Sequence, residues 1–378
     1  SFAKEFLLSD GDFALRVSDC KFTKNKATEN GAALCFLIKK NQPDNSIEIN
    51  DCIFNENIAK ENKWRYIKEE NPENGGSIYL ELDSSLKKKF SFSINDCSFS
   101  RNVVSSKGGS ISIKIGKNEP LNSIEINRCT FKQNQAYEYT EIQSYGSDIR
   151  FIDKYEKLNV FDSVLKIDNC NFSDRPSKHR GGSIFVSILN KQTLRMIEIN
   201  KCLFKEISSP FGGSIDIESF NPFILFHISD CEFQGQSSLF FNGIYGHIEK
   251  CRFNDIKNAI PIYYECNSDE KTSEEQSFTI EKCNFYQKNE IYALIFIVPK
   301  VSSRFAFIDN DIEIANGKTF VFNCNGDAKL EGSWLFNGNS INPDNENIIN
   351  SENATKMHFY ASCLKGFVCT SHRLPGLE

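Results

Sequence analysis

Methionine and tryptophan occur only twice each in this 378-residue chain, and histidine only five times. No apolar run approaches the ~20 residues with which a helix spans a bilayer. The longest, IYALIFIV at 291–298, has the length of a strand. The opening SFAKEFLLSD has neither a basic start nor a long apolar core, so it does not read as a secretory signal. Cys-x-x-Cys pairs are absent, and His179, His227, His247, His358 and His372 are scattered. The paired ligands of a structural zinc site are missing, and neither a metal nor another cofactor is expected. Positive charge is in deficit as well: the net charge is −6, which leaves no basic face for nucleic acid. The closing Leu377-Glu378 reads as a cloning scar. The chain is therefore expected to be an excised segment of a longer precursor, with membrane anchoring left to segments absent from it.

Phenylalanine and cysteine are plentiful, at 33 and 14 residues. That is far below the cysteine density of a small disulfide scaffold, but the order is regular. Cys-x-Phe occurs nine times: Cys20 with Phe22, Cys52 with Phe54, Cys97 with Phe99, Cys129 with Phe131, Cys170 with Phe172, Cys202 with Phe204, Cys231 with Phe233, Cys251 with Phe253 and Cys283 with Phe285. The steps between cysteines are 32, 45, 32, 41, 32, 29, 20 and 32 residues. A unit as short as 20 residues, usually 32, with a variable excess, is a repeat whose loops carry the insertions.

A second motif alternates with the first. Gly-Gly-Ser-Ile stands at 75–78, 108–111, 181–184 and 212–215, with degenerate copies GAAL at 31–34 and GSDI at 146–149. Each opens a run such as Ile78, Leu80, Leu82 or Ile111, Ile113, Ile115, whose period of two is that of a strand with one buried face. Another short alternating run precedes each cysteine, as in Ile47 and Ile49 or Ile197 and Ile199. Its last apolar residue always lies three before the cysteine, from Val17 before Cys20 to Ile280 before Cys283. A straight strand cannot bury both sets, because three is odd. A two-residue corner between them can. The corner pairs, among them Asn50-Asp51, Asn95-Asp96 and Asn127-Arg128, are rich in residues that tolerate left-handed backbone.

Each unit thus reads as three short strands. One coil cannot bury its apolar face, but a stack of coils forms a continuous core. The predicted fold is all-β, a right-handed single-stranded parallel β-helix of about ten coils. It covers residues 1–340, with clear coils at 13–298 and irregular ones at 304–340, followed by a C-terminal cap or tail at 341–378. In such a stack the nine cysteines and nine phenylalanines form two inward ladders. In-register strands hold adjacent side chains ~4.8 Å apart, wider than the Cβ separation of ~3.8 Å usual in a disulfide. Free, packed thiols are expected there, without a nucleophilic role. Cys363 and Cys369, off the ladder, are the candidate disulfide.

Gly-Gly-Ser-Ile alternating with Phe-x-x-Asn, intact at Phe22–Asn25, Phe54–Asn57, Phe99–Asn102 and Phe131–Asn134, resembles the repeats of the polymorphic outer-membrane proteins of chlamydiae and of similar surface proteins in trichomonad protists. The resemblance covers roughly residues 13–298, with Ser where that family favours Ala. It implies a right-handed β-helix displayed on a cell surface, extracellular, with adhesion to a host-cell surface protein or glycan.

Loops carry recognition on a rigid scaffold. The longest inserts are 58–74 and 135–145. They hold Trp64, Arg65 and Tyr66, and Tyr137, Tyr139 and Tyr145, residue types enriched in binding hot spots. These six are the candidate ligand contacts; covering the inserts' own small cores is the alternative role. The chain also reads as a carbohydrate-active enzyme, which β-helices support, or as a structural rod. Glycoside hydrolysis needs carboxylates ~5–9 Å apart. The outward Glu48, Glu125 and Glu198 are not on adjacent coils, and Asp216 with Glu218 is explained by a solvated strand face. No catalytic residue is assigned. Asn171, in a glycosylation sequon between Cys170 and Phe172, points outward.

Overall fold

The computed structural model describes residues 2–3, 14–28, 30–38, 45–59, 75–82, 90–104, 108–115, 121–136, 148–153, 163–173, 182–188, 194–207, 213–219, 225–242, 245–257, 259–265, 276–288, 293–298, 303–314, 320–324, 333–337, 340–341, 349–350 and 358–361. Every strand pairing among them is parallel, and each strand pairs with its counterparts one coil before and one coil after. The chain is a right-handed parallel β-helix. Three long sheets run its length, with twelve, twelve and eleven strands. The first carries the Gly-Gly-Ser-Ile strands, the second the runs upstream of each cysteine, and the third the Cys-x-Phe segments. Twelve rungs ~4.8 Å apart make a stack roughly 50 Å long. Two sheets run on past residue 340, through Ile349–Asn350 and His358–Ala361.

The corner is the device that closes each coil. Its second residue has positive φ in ten successive coils, from Asp19 (55°) and Asp51 (54°) to Lys282 and Asp309 (both 52°). Arg128, Lys201 and Lys250 adopt it too, although their side chains gain nothing from the left-handed region. A stacked hydrogen bond offsets the strain. The left-handed residue donates its N–H to the corner carbonyl of the next coil, as Asp51 does to Asn95 (3.1 Å) and Asp96 to Asn127 (3.0 Å).

Phe22, Phe54, Phe99, Phe131, Phe172, Phe204, Phe233, Phe253 and Phe285 form one continuous file, as the repeat predicts. Successive rings lie 4.8–5.0 Å apart and within 10° of parallel. In the later coils, where the Phe-x-x-Asn motif is lost, the file is unbroken: Phe204 stacks on Phe233 at 5.0 Å and Phe233 on Phe253 at 4.9 Å. Phe204, Phe233 and Phe253 are all buried. The cysteines run beside them as free thiols, buried from Cys52 to Cys283 and half-buried at Cys20, where the ladder begins. Each thiol lies against the carbonyl two residues back, as Cys97 Sγ does at Asn95 (3.2 Å). The file continues one rung further in a changed form: Asn310 takes the cysteine place, accepting from Cys283 N at 2.9 Å, and Ile312 takes the phenylalanine place.

Coils that carry Phe-x-x-Asn have a second corner. Its left-handed residue is the one before the asparagine: Lys24, Glu56, Arg101 and Gln133. A fourth short strand follows in each, giving a four-stranded sheet of Lys26–Ala27, Ile58–Ala59, Val103–Val104 and Gln135–Ala136. The three-strand unit expected from sequence is therefore a four-strand unit here, and Ile58–Ala59 and Gln135–Ala136 are strand, not loop. The asparagines are the reason. Asn25 Nδ2 donates to Asn57 Oδ1 (2.8 Å), Asn57 to Asn102 (3.0 Å) and Asn102 to Asn134 (2.9 Å). Each of the last three also donates to the phenylalanine carbonyl of the preceding coil, as Asn102 does to Phe54 O (3.0 Å). A buried amide that meets its partners this way supports the fourth strand. The bend itself persists without it: Glu206 and Asp255 are left-handed before Ile207 and Ile256, which fill the place with apolar volume.

The second glycine of Gly-Gly-Ser-Ile is required by close approach. A Cβ on Gly76 would sit 1.9 Å from Gly109 O in the next coil, so these two backbones stack closely only without a side chain at 76; one coil earlier the place holds the small Ala32.

Candidate functional site

Trp64, Arg65, Tyr66, Tyr137, Tyr139 and Tyr145 lie outside the described residues, as do Cys363 and Cys369. The origin of the two aromatic inserts is described. Each follows a strand of the short fourth sheet, Ile58–Ala59 and Gln135–Ala136, with Val103–Val104 paired between them. The inserts thus depart from one edge of the helix, two rungs or ~10 Å apart. Asn171 occupies an exposed position in the third sheet.

The outer row of the second sheet runs Arg16, Glu48, Ser93, Glu125, Lys166, Glu198, His227, His247, Thr279. Glu48, Glu125 and Glu198 alternate with other residues, ~10 Å apart. Charges of opposite sign meet on successive rungs, with Lys166 Nζ 3.9 Å from Glu198. On the first sheet the expectation of a solvated face at Asp216 is corrected: Asp216 is fully buried, as are Tyr79, Ser112, Arg150 and Phe185 in the same row. Aromatic residues share this covered row with Ser112, Arg150 and Asp216, and Phe240 stacks on Tyr263 at 4.8 Å. Aromatics recurring at the outward parity were the available signal.

One cluster joins residues that the sequence reading treated as scattered. His227 and His247 are partners across adjacent rungs, their rings 5.2 Å apart and 19° from parallel. Glu249 follows His247 by two residues on the same outward side, and Glu281 is its partner one rung on. His227 Nε2 lies 3.3 Å from Glu249 Oε1, and His247 Nε2 lies 3.6 Å from Glu281 Oε1. Both ring nitrogens are shut off from solvent without a hydrogen bond of good geometry. Ligand atoms of His247, Glu249 and Glu281 all fall within 4.8 Å of one another.

Local sequence explains the cluster. In earlier coils the first corner position is a hydrogen-bonded amide row, with Asn95 Nδ2 donating to Asn50 Oδ1 and Asn127 Nδ2 to Asn95 Oδ1 (both 2.9 Å). At Cys251 and Cys283 the corner pair becomes Glu-Lys, so the row turns anionic beside the two imidazoles. Lys250 Nζ lies 3.4 Å from Glu249 Oε2, and Lys282 Nζ lies 3.3 Å from Glu281 Oε1. Partial burial lowers the His247 pKa, outweighing the pull of Glu281 in the other direction. Burial acts to raise Glu249, but Lys250 and the two imidazoles hold it below the usual carboxylate range. The available signal was the common offset from the ladder: each histidine stands four residues before its cysteine, and each glutamate two before.

Most interior ladder thiols are held protonated; Cys231 is the exception, because burial acts to raise it but hydrogen bonds with Cys202 and Cys251 bring it down. Burial pushes Cys52 up to about 11, and hydrogen bonding with Cys129, together with burial, pushes Cys97 higher still. Thiols held protonated are poor nucleophiles. Among the described residues no helix is long and apolar enough to cross a membrane. No family model, no curated protein and no solved structure matches this chain.

Proposed function

We propose that this chain is the β-helical ectodomain of an adhesin-type surface protein. In this reading the stacked coils are a rigid rod, and the inserts after Ile58–Ala59 and Gln135–Ala136 are its binding elements, engaging a host-cell surface protein or glycan. The observation that carries it is the common origin of the two aromatic-bearing inserts on one short sheet, two rungs apart. The strands that the two inserts follow, Ile58–Ala59 and Gln135–Ala136, thereby share one side of the rod. Trp, Arg and Tyr on paired loops are the composition of a binding hot spot. Stacked free thiols are compatible with an oxidising exterior, because in-register strands keep them from disulfide geometry. The resemblance of the repeats to chlamydial and trichomonad surface proteins points the same way.

The test is binding of the purified chain to host cells and to a glycan array. Replacing Trp64 and Tyr66 with Ala, and separately Tyr137 and Tyr139, should each weaken binding by at least tenfold without changing the melting temperature. Unchanged binding by both double variants would remove the inserts from the recognition surface.

A further inference from the structure

We infer that His247, Glu249 and Glu281 form a binding site for a divalent transition-metal ion of the zinc class on the outer side of the second sheet. Neutral imidazole nitrogen and carboxylate oxygen are the donors that suit such an ion. With metal–ligand distances of ~2.0–2.1 Å, two ligands on a tetrahedral ion lie ~3.4 Å apart. The ligand atoms of His247, Glu249 and Glu281 lie within 4.8 Å of one another, and the His247–Glu281 separation of 3.6 Å is close to that edge. At that distance the His247 imidazole makes no well-aligned hydrogen bond to the carboxylate, and its Nε2 is closed to solvent. Groups bonded directly to one another would have turned to align. Groups arranged around a common point need not.

The scaffold favours the site. The three side chains rise from two adjacent rungs whose backbones are fixed by parallel pairing. A site on rigid strands holds its ligands more closely than one on loops. Lys250 contacts Glu249 through Oε2 and leaves Oε1 to the ion. Lys282 contacts the same Glu281 oxygen as His247, so metal entry displaces that ammonium or turns the carboxylate. This site is independent of the loop-binding reading.

The experiment is calorimetric titration of the full chain with Zn²⁺ after chelator treatment, with Co²⁺ as a spectroscopic stand-in. One ion should bind per chain, raise the melting temperature in a concentration-dependent way, and with Co²⁺ give the visible bands of a low-coordinate site. H247A and E249Q should each weaken binding by at least tenfold. H179A and H372A should leave it unchanged. Circular dichroism checks that each variant keeps its strands, as outward positions should allow. Absence of binding to the wild-type chain overturns the proposal, and so does binding that survives in folded H247A and E249Q or is lost in H179A.

Discussion

A single substitution within a repeat shows how strongly the stack constrains its residues. Asp148 stands where Ser77, Ser110, Ser183 and Ser214 stand in neighbouring coils. It is enclosed, and burial raises its carboxyl from an ordinary 3.8 to about 7, although Asn134 Nδ2 donates to it at 2.9 Å. The folded chain thus holds this proton more tightly than the unfolded one. The stabilisation is complete below the unfolded value near 4 and is lost as pH rises through 7. D148N keeps the acceptor for Asn134 and removes the titration. Denaturant unfolding from pH 5 to 8 should show the wild type losing up to about 3 kcal/mol relative to D148N. Parallel stability curves would show that Asp148 keeps its charge at no cost. The sequence showed that GSDI was a degenerate copy. It did not show that the serine position is sealed, because burial there comes from coils on either side.

At the scale of the strand, volume is shared between rungs. The inward column of the second sheet reads Ile47, Phe92, Ile124, Leu165, Ile197, Phe226, Gly246, Phe278. Gly246 gives its space to Phe226, whose ring stacks on Phe241 at 4.2 Å and reaches Phe278 at 5.7 Å. A Cβ at 246 would fall 1.8 Å from the Phe226 ring. G246A should therefore cost about 1–3 kcal/mol through overpacking. In F226L the same change should cost clearly less, and a double-mutant cycle measures the coupling. Equal costs in both backgrounds would mean that the ring does not occupy the glycine's place. The alternation of apolar residues was legible in sequence and assigned these strands correctly. The void at Gly246 and its filling by a neighbour were not, because the partner is twenty residues away in the chain and adjacent only in the stack.

For the whole molecule, the ladder makes chemical protection a readout of the stack. Cys52 to Cys283 are interior rungs and Cys20 is the half-buried end. An aromatic disulfide reagent applied to the native chain should leave the eight interior ladder thiols unmodified, with Cys20 reacting first among the nine. All nine should react once denaturant melts the coils, and peptide mapping assigns each site. Early labelling of a central rung such as Cys170 would contradict a continuous core. Repeats that touch only their neighbours melt from the ends or from weak joints, so the order of labelling also reports where the stack opens.

The sequence by itself determined the period, the two inward ladders and the corner. Strand parity is a local property: an odd offset between two buried sets forces a bend wherever it occurs. It also located the aromatic inserts as breaks in the period. Three features were decided only by the tertiary structure: the buried outer face of the first sheet, the fourth strand set by the asparagine file, and the meeting of His227, His247, Glu249 and Glu281. Each depends on which residues lie one coil apart. Coil length varies from 20 to 45 residues, so neighbours in the stack keep no fixed separation in the chain, and it is the parallel pairing of the strands that brings them together.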